Sequence, residues 1–293
     1  MAEPTDSVSV VIPMYNEEAA IADELTGLRR TMDGIGLPYE IIVVDDGCTD
    51  RSVEIVQGFE GVVLLRHPYN RGTGAARTTG IKAAQGDIVV MIDADGTYPH
   101  DAIPAMVAGV QQSSSMVIGA RRRESGTVRW LRAPTKWFIR QLASYLTGTR
   151  IPDLNSGLRV FRRDIALKYV SLLPTTHSWV STITIACLSD GYPVTWHPID
   201  YYPRRGRSSF HPLADTYNYI SLVVRSVTYF NPLQVFLPVS LFFLAVGFIK
   251  LIRDFIYYQN FYVPAITLTL LVTGIQVGAI GLLADLIVKR SRL

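Results

Sequence analysis

Short, nearly continuous apolar runs recur along the front of the chain at Val8 to Ile12, Glu40 to Val44, Val62 to Leu65, Ile88 to Ile92 and Met116 to Ile118. Runs of this length without polar alternation predict strands covered on both faces. Between them, Glu17 to Met32, Asp50 to Gln57, Gly74 to Ala84 and Asp101 to Gln112 carry helical spacing, and the last two end near Gly86 and a serine run. Alternating β and α segments predict an α/β fold, a Rossmann-like and mostly parallel sheet with right-handed crossovers. Ligands of such sheets bind beyond the carboxyl ends of the strands, so the residues just after each run carry the interest.

The pattern changes towards the end of the chain. No charged residue occurs from Ser226 to Ile249 or from Gln259 to Ala284, stretches of 24 and 26 residues. Each exceeds the ~20 residues that cross a bilayer core, which predicts a transmembrane hairpin. Pro232, Pro238 and Pro264 are expected near the ends or in the first turns of the spans, where a missing amide hydrogen matters least. Lys250, Arg253 and Asp254 would then lie in a short external connector, and the basic tail Lys289, Arg290 and Arg292 inside. Two segments ahead of the hairpin, Arg129 to Leu146 and Leu213 to Phe230, mix aromatic and basic residues; each suits a helix in an anionic membrane surface or one packed on the sheet. The expected division is 1–210 catalytic, with 121–210 facing the acceptor, 211–231 interfacial, and 232–293 hairpin and tail.

Composition adds one point. With 48% hydrophobic and 18% charged residues the chain is too apolar for disorder. The net charge of +3 hides a strong division. Residues 1–120 hold 7 basic and 17 acidic side chains, 121–229 hold 16 and 6, and 230–293 hold 5 and 2. An acidic front and a basic middle suggest two different ligands rather than nucleic acid. Cys48 and Cys187 have neither disulfide-framework nor zinc spacing and read as thiols of a reducing compartment, and the first residues lack the pattern of a cleaved signal peptide.

Three strand ends deliver carboxylates to one sheet edge: Pro13-Met-Tyr15-Asn-Glu17-Glu18, Asp45-Asp46-Gly47-Cys-Thr-Asp50 and Asp93-Ala-Asp95-Gly96. Singly, each reads as a turn or a helix cap. Together they repel one another unless a cation offsets them, and aspartates at i and i+2 suit Mg²⁺ or Mn²⁺ holding a diphosphate.

The strings VIPMYNEE, VVDDGCTD, NRGTGAARTTGIKAAQGD and MIDADG, in that order, resemble the family 2 glycosyltransferases with the GT-A nucleotide-sugar fold. The resemblance implies that Pro13, Tyr15 and Glu17 surround the nucleotide base, that Asp46 accepts a hydrogen bond from it, and that Asp93 contacts ribose or sugar. It further implies that Asp95, with Asp93 beside it, holds the metal, and that Gly72, Gly74 and Arg77 lie beside the donor where glycine allows close backbone approach. Gly119-Ala-Arg121, Pro152-Asp153-Leu-Asn-Ser156-Gly157-Leu-Arg159 and Tyr202-Pro-Arg204-Arg205-Gly206-Arg207-Ser208, ahead of the hairpin, are similar to the polyprenyl-phosphate glycosyltransferases, including dolichyl-phosphate mannose synthases. On that resemblance Arg121, Lys136, Ser156, Arg159, Arg205 and Ser208 hold the acceptor phosphate. Asp95 is followed by Gly-Thr instead of the Leu-Gln common in mannose-type enzymes, and Ser209 stands where lysine is frequent.

The implied reaction is inverting transfer from a nucleotide-diphosphate sugar, uridine favoured over GDP-mannose, to a polyprenyl phosphate. It would occur on the cytosolic face of a bilayer, most naturally the plasma membrane, and homo-oligomers are compatible with a two-helix anchor. No serine–histidine–aspartate or cysteine–histidine set competes, and His67, His100, His177, His197 and His211 read as structural or surface residues. A processive polysaccharide synthase is the enzymatic alternative, although Gly126-Thr-Val-Arg129-Trp130 lacks the glutamine of its Q-x-x-R-W motif. A membrane-anchored nucleotide-sugar binding protein is the non-catalytic one.

Overall fold

A computed structural model describes residues 6–122, 140–141, 143–145, 147–176, 178–203, 232–258 and 263–290. A seven-stranded sheet is built from β1 (Val8–Met14), β2 (Tyr39–Asp45), β3 (Val62–Arg66), β4 (Ile88–Met91), β5 (Met116–Arg121), β6 (Arg159–Arg162) and β7 (Val194–Ile199) in the order β3-β2-β1-β4-β6-β5-β7. All neighbours are parallel except β6, which runs antiparallel to both β4 and β5. The five apolar runs are therefore strands, as their patterning predicts. β3 departs from full burial: at the sheet edge its residues are half-buried or exposed.

Helices α1 (Ile21–Ile35), α2 (Ser52–Gln57), α3 (Thr73–Ala83), α4 (Ile103–Gln112), α5 (Arg163–Tyr169) and α6 (Trp179–Ser189) cover the sheet. α1 buries Ile21, Leu25, Leu28 and Met32 at helical spacing, and Gly36 in the left-handed region ends it. It starts four residues later than expected, because the carbonyl of Glu17 accepts from the amides of Ala20 and Ile21 and closes a separate turn first. α3 lies against β1, and a Cβ at Gly80 would stand 2.2 Å from Val11 Cγ1. Two apolar clusters result, one on each face of the sheet.

Chain order turns around at β1. β1, β2 and β3 progress one way, and the next strand, β4, joins the other side of β1. The switch point thus lies between β1 and β4, and the crevice beyond their carboxyl ends is where the topology places a ligand.

The hairpin is formed by α7 (Pro232–Tyr258) and α8 (Ala265–Arg290), both long and apolar enough to cross a membrane. Two expectations need correction. Lys250, Arg253 and Asp254 lie inside α7, not in a connector, because Lys250 pairs with Asp254 at i,i+4 and the helix continues past both. Pro238 sits in the second turn of α7 instead of the first, whereas Pro264 precedes α8 and its carbonyl accepts from the amides of Thr267 and Leu268. The two amphipathic segments fall almost wholly outside the described residues.

Candidate active site

At the switch point β1 ends in Pro13 and Met14, whose register partners are Val44 and Asp45, and the chain continues into Tyr15, Asn16 and Glu17. Tyr15 is 44% exposed at the mouth, while Glu17 is buried and its amide donates to Ser52 Oγ at 2.8 Å. Between them Asn16 adopts φ 54°, a left-handed backbone that asparagine tolerates. Its Oδ1 accepts from Thr49 N at 2.8 Å, tying the loop after β1 to the loop after β2.

Asp45 ends β2 and Asp46 follows it. The Asp45 carboxylate accepts from Cys48 N at 2.7 Å and Arg66 Nε at 3.1 Å. Burial works against its ionised form, but these bonds outweigh it and hold its pKa below the usual value. Asp46 is almost fully buried; Oδ1 accepts from Arg71 N and Oδ2 from Gly72 N, at 2.9 and 2.8 Å. His67 Nδ1 stands 2.7 Å from Asp46 Oδ1, and its Nε2 2.9 Å from Thr79 Oγ1. With a proton on Nδ1 the ring donates to the Asp46 carboxylate. Asp46 thereby fixes the turn leading into α3.

At the end of β4, Asp93 Oδ1 accepts from Arg77 Nη2 at 2.7 Å. Arg77 comes from α3, is buried, and stacks its guanidinium 5.9 Å from the Trp179 ring centroid. On its other side Asp93 meets Gly157, where a Cβ would come within 2.1 Å of Oδ2, so only glycine leaves this carboxylate its place. Asp95 Oδ1 accepts from the amide and hydroxyl of Thr97, at 3.2 and 2.6 Å, across Gly96 with φ +70°. The Gly-Thr that follows Asp95 therefore shapes the turn that holds it. Tyr98 Oη accepts from Gly157 N at 2.6 Å, and Tyr202 N donates to Thr97 O at 2.9 Å. Among the described residues no three acidic, cysteine or histidine side chains gather as a metal site. Two oxygen-only side chains still match a Mg²⁺ or Mn²⁺ that takes its other ligands from a diphosphate and water.

Four expectations change. Arg159 is fully buried: its guanidinium donates to Ser156 O at 2.7 Å, Val180 O at 2.8 Å and Thr184 Oγ1 at 3.0 Å, and burial together with the nearby charge of Arg77 lowers its pKa to about 10. It braces α6 against the sheet and cannot also meet a phosphate. Ser156 is likewise fully buried, which removes it from a lipid acceptor's reach. Arg121 forks onto Asp153, with Nε to Oδ2 at 2.7 Å and Nη2 to Oδ1 at 3.0 Å, and lies 5.2 Å from the Tyr201 ring centroid, so its charge is already matched. Gly72 and Gly74 do allow close backbone approach, but what approaches is the chain itself: a Cβ at either would strike the carbonyl of Thr175 or Pro174 at 2.4 or 2.3 Å. Thr175 O accepts from Gly74 N and Ala75 N and closes the start of α3. Lys136, Arg205 and Ser208 lie outside the described residues.

Sequence reasoning missed Gly157, Thr97, Trp179 and His67 as supports of these carboxylates. Only Thr97 had a local signal, a hydroxyl two residues after an aspartate.

The glycosyl transferase family 2 profile matches residues 9–170, more than half of the chain, and a GtrB C-terminal hairpin profile matches residues 231–289. Undecaprenyl-phosphate 4-deoxy-4-formamido-L-arabinose transferase of Pseudomonas aeruginosa (strain LESB58) is 35% identical over 167 residues, 55% of this chain and 49% of that protein. The protein of the same name from Aeromonas hydrophila subsp. hydrophila is 35% identical over 163 residues, 54% of this chain and 49% of that protein. The chain spans about half the length of the curated relatives it matches. Among solved structures, glucosyl-3-phosphoglycerate synthase from Mycobacterium tuberculosis in complex with uridine diphosphate superposes with a TM-score of 0.60 at 20% identity, over 76% of this chain and 80% of that one. Its complex with Mn²⁺, uridine diphosphate and glucosyl-3-phosphoglycerate gives 0.59 at 23%, over 76% and 79%. At such identities the likeness is one of fold.

Proposed function

This chain belongs to glycosyl transferase family 2, and we propose that it is a membrane-bound inverting enzyme that moves a sugar from a nucleotide-diphosphate sugar, preferentially a uridine one, to a polyprenyl phosphate. The observation that carries the proposal is the pair Asp93 and Asp95 at the switch point of a sheet whose chain ends in two membrane-length apolar helices. The names of the curated relatives support the lipid-phosphate acceptor.

In this reading the exposed ring of Tyr15 offers a face to the nucleotide base, and the buried Pro13, Glu17 and Asp46 shape the loops around it. Asp93, set by Arg77, faces the ribose or sugar. When bound at Asp95 and Asp93, a Mg²⁺ or Mn²⁺ supplies charge neutralisation for the diphosphate leaving group. The acceptor needs no general base, because a phosphate monoester has its second pKa near ~6 and is mostly dianionic at neutral pH. It needs positive charge and alignment, which Lys136, Arg205 and Ser208 are assigned to provide. A phosphate oxygen bonds to the sugar C1 as the bond from C1 to the diphosphate oxygen breaks, with inversion at C1 and release of the nucleoside diphosphate. The catalytic domain is assigned to the cytosolic side.

The test is incubation of the full chain in membranes with a panel of nucleotide sugars, with and without polyprenyl phosphate. A short chloroform-soluble glycolipid, with nucleoside diphosphate released only when the lipid is present, is expected. Asp95→Asn should lower this at least about a hundredfold and abolish its dependence on added metal. A long water-soluble polymer would establish a synthase instead, and binding without release a carrier.

A further inference from the structure

One buried acidic group lies outside the donor and acceptor sites. Glu24 lies in α1 with its side chain 2% exposed, and its Oε1 stands 3.0 Å from His100 Nε2. His100 opens the 3-10 turn His100–Ala102, immediately after the connector that carries Asp93, Asp95, Thr97 and Tyr98. The seat for the imidazole is cut into the helix. A Cβ at Gly27, less than one turn beyond Glu24, would lie 2.3 Å from His100 Nδ1 and 2.5 Å from its Cε1. Glycine is a poor helix former compared with alanine, so the notch is kept against helix propensity. The carboxyl is costly too. Burial raises the Glu24 pKa, His100 acts against that rise, and the charges of Asp95 and Asp93 add to it. A lone carboxylate placed behind two others is tolerated only with such a partner.

We propose that Glu24 and His100, seated on Gly27, brace the connector that carries Asp93 and Asp95, and are positioning residues for those carboxylates. Arg77 to Asp93, Gly157 to Tyr98 and Tyr202 to Thr97 tie the connector to α3 and to the segments before β6 and after β7. The Glu24–His100 contact fixes its far end to α1. The consequence for metal binding rests on the function proposed above; the brace itself does not.

The experiment uses the full chain in detergent with Glu24→Leu, Glu24→Gln, Gly27→Ala and His100→Asn, the last at a partly exposed position that leaves the helix interior intact. Hydrogen exchange of the 94–102 amides is read without metal, and Mn²⁺ binding is titrated by paramagnetic resonance with uridine diphosphate present. Glu24→Leu, Gly27→Ala and His100→Asn should each speed exchange in 94–102 about tenfold while β1 and β2 stay protected. They should weaken Mn²⁺ about tenfold, as loss of an outer support does. Glu24→Gln, which keeps a polar group of the same size beside the imidazole, should remain nearer the unsubstituted protein. Unchanged exchange in folded His100→Asn and Gly27→Ala overturns the brace. Faster exchange in a protein that binds no Mn²⁺ even when unsubstituted keeps the brace and overturns the metal reading.

Discussion

At the scale of single residues, the site is a set of charges each already answered by a partner. Asp153 shows how far this goes. Burial pushes its carboxyl pKa up, but the two hydrogen bonds and the charge of Arg121 outweigh that and hold it below its ordinary value of 3.8. A carboxylate with a depressed pKa stabilises the fold at every pH above its unfolded value, and that contribution is lost as pH falls through the folded one. Asp153→Asn leaves the mostly buried Arg121 without its counter-charge and should cost about 3 kcal/mol or more at pH 7. The gap between this variant and the unsubstituted protein should stay constant from about pH 7 to 5 and close below about pH 4. Denaturant unfolding across that range measures it; a gap that did not narrow in acid would dissociate the stability from the ion pair. Asp153 also shows where residue-level reading stops. The carboxylates after β1, β2 and β4 were visible because their position follows from the strands, but whether Arg121 and Arg159 meet a ligand depends on which neighbours reach them. Those neighbours, Asp153, Val180 and Thr184, lie 21 to 32 residues away in sequence.

At the scale of elements, legibility follows period and length. The five parallel strands up to β5 and the four helices between them have runs long enough to carry a pattern. β6 does not: Arg-Val-Phe-Arg has four residues with charges at both ends, and it becomes a strand because β4 and β5 clamp it from either side. In α6, Val180, Thr182, Ile183, Thr184 and Ile185 have the β-branched character of a strand, and near-total burial together with the anchors Trp179 and Arg159 makes a helix of them. The hairpin was legible as two spans, but its packing rests on small residues that hydropathy does not register. Cβ atoms at Gly247, Gly274, Gly278 and Gly281 would all come within 3 Å of the opposite helix, and Ser240 Oγ donates to Gly274 O at 2.7 Å. Such close approach is how helices associate where lipid gives no hydrophobic drive. Gly274→Leu, which meets Leu244 side chain and backbone, should destabilise the hairpin by about 1–3 kcal/mol. Val272→Leu, on an exposed position of the same helix, should be nearly neutral. Thermal unfolding of both in one detergent decides; equal melting curves would mean the glycines do not set the helix separation.

At the scale of the molecule, the distribution of charge and the length of the hairpin describe the same arrangement. α7 from Pro232 to Ile249 and α8 from Thr267 to Ala284 are uncharged, each 18 residues long, or about 27 Å at 1.5 Å per residue, close to a bilayer's hydrocarbon thickness. Charges cap both ends of the pair. Asp254, accepting from Lys250 Nζ at 2.8 Å and from Thr267 Oγ1, marks the turn end, and Asp285 with Lys289 at 2.8 Å marks the end that returns to the start of α7. Arg253 is 76% exposed beside Asp254, a costly position in hydrocarbon, so a hairpin that crosses is expected to place it at an interface. The α/β domain precedes α7 and so joins the opposite end, and on a crossing hairpin an exposed residue of that domain and Arg253 should face opposite sides of the membrane. Two single-cysteine reporters, Arg253→Cys and Tyr69→Cys, both at exposed positions, test this with Cys48 and Cys187 replaced. In sealed vesicles a membrane-impermeant maleimide is expected to label one reporter from outside and the other only after permeabilisation. Labelling of both from the same side would mean that the hairpin lies in the interface without crossing.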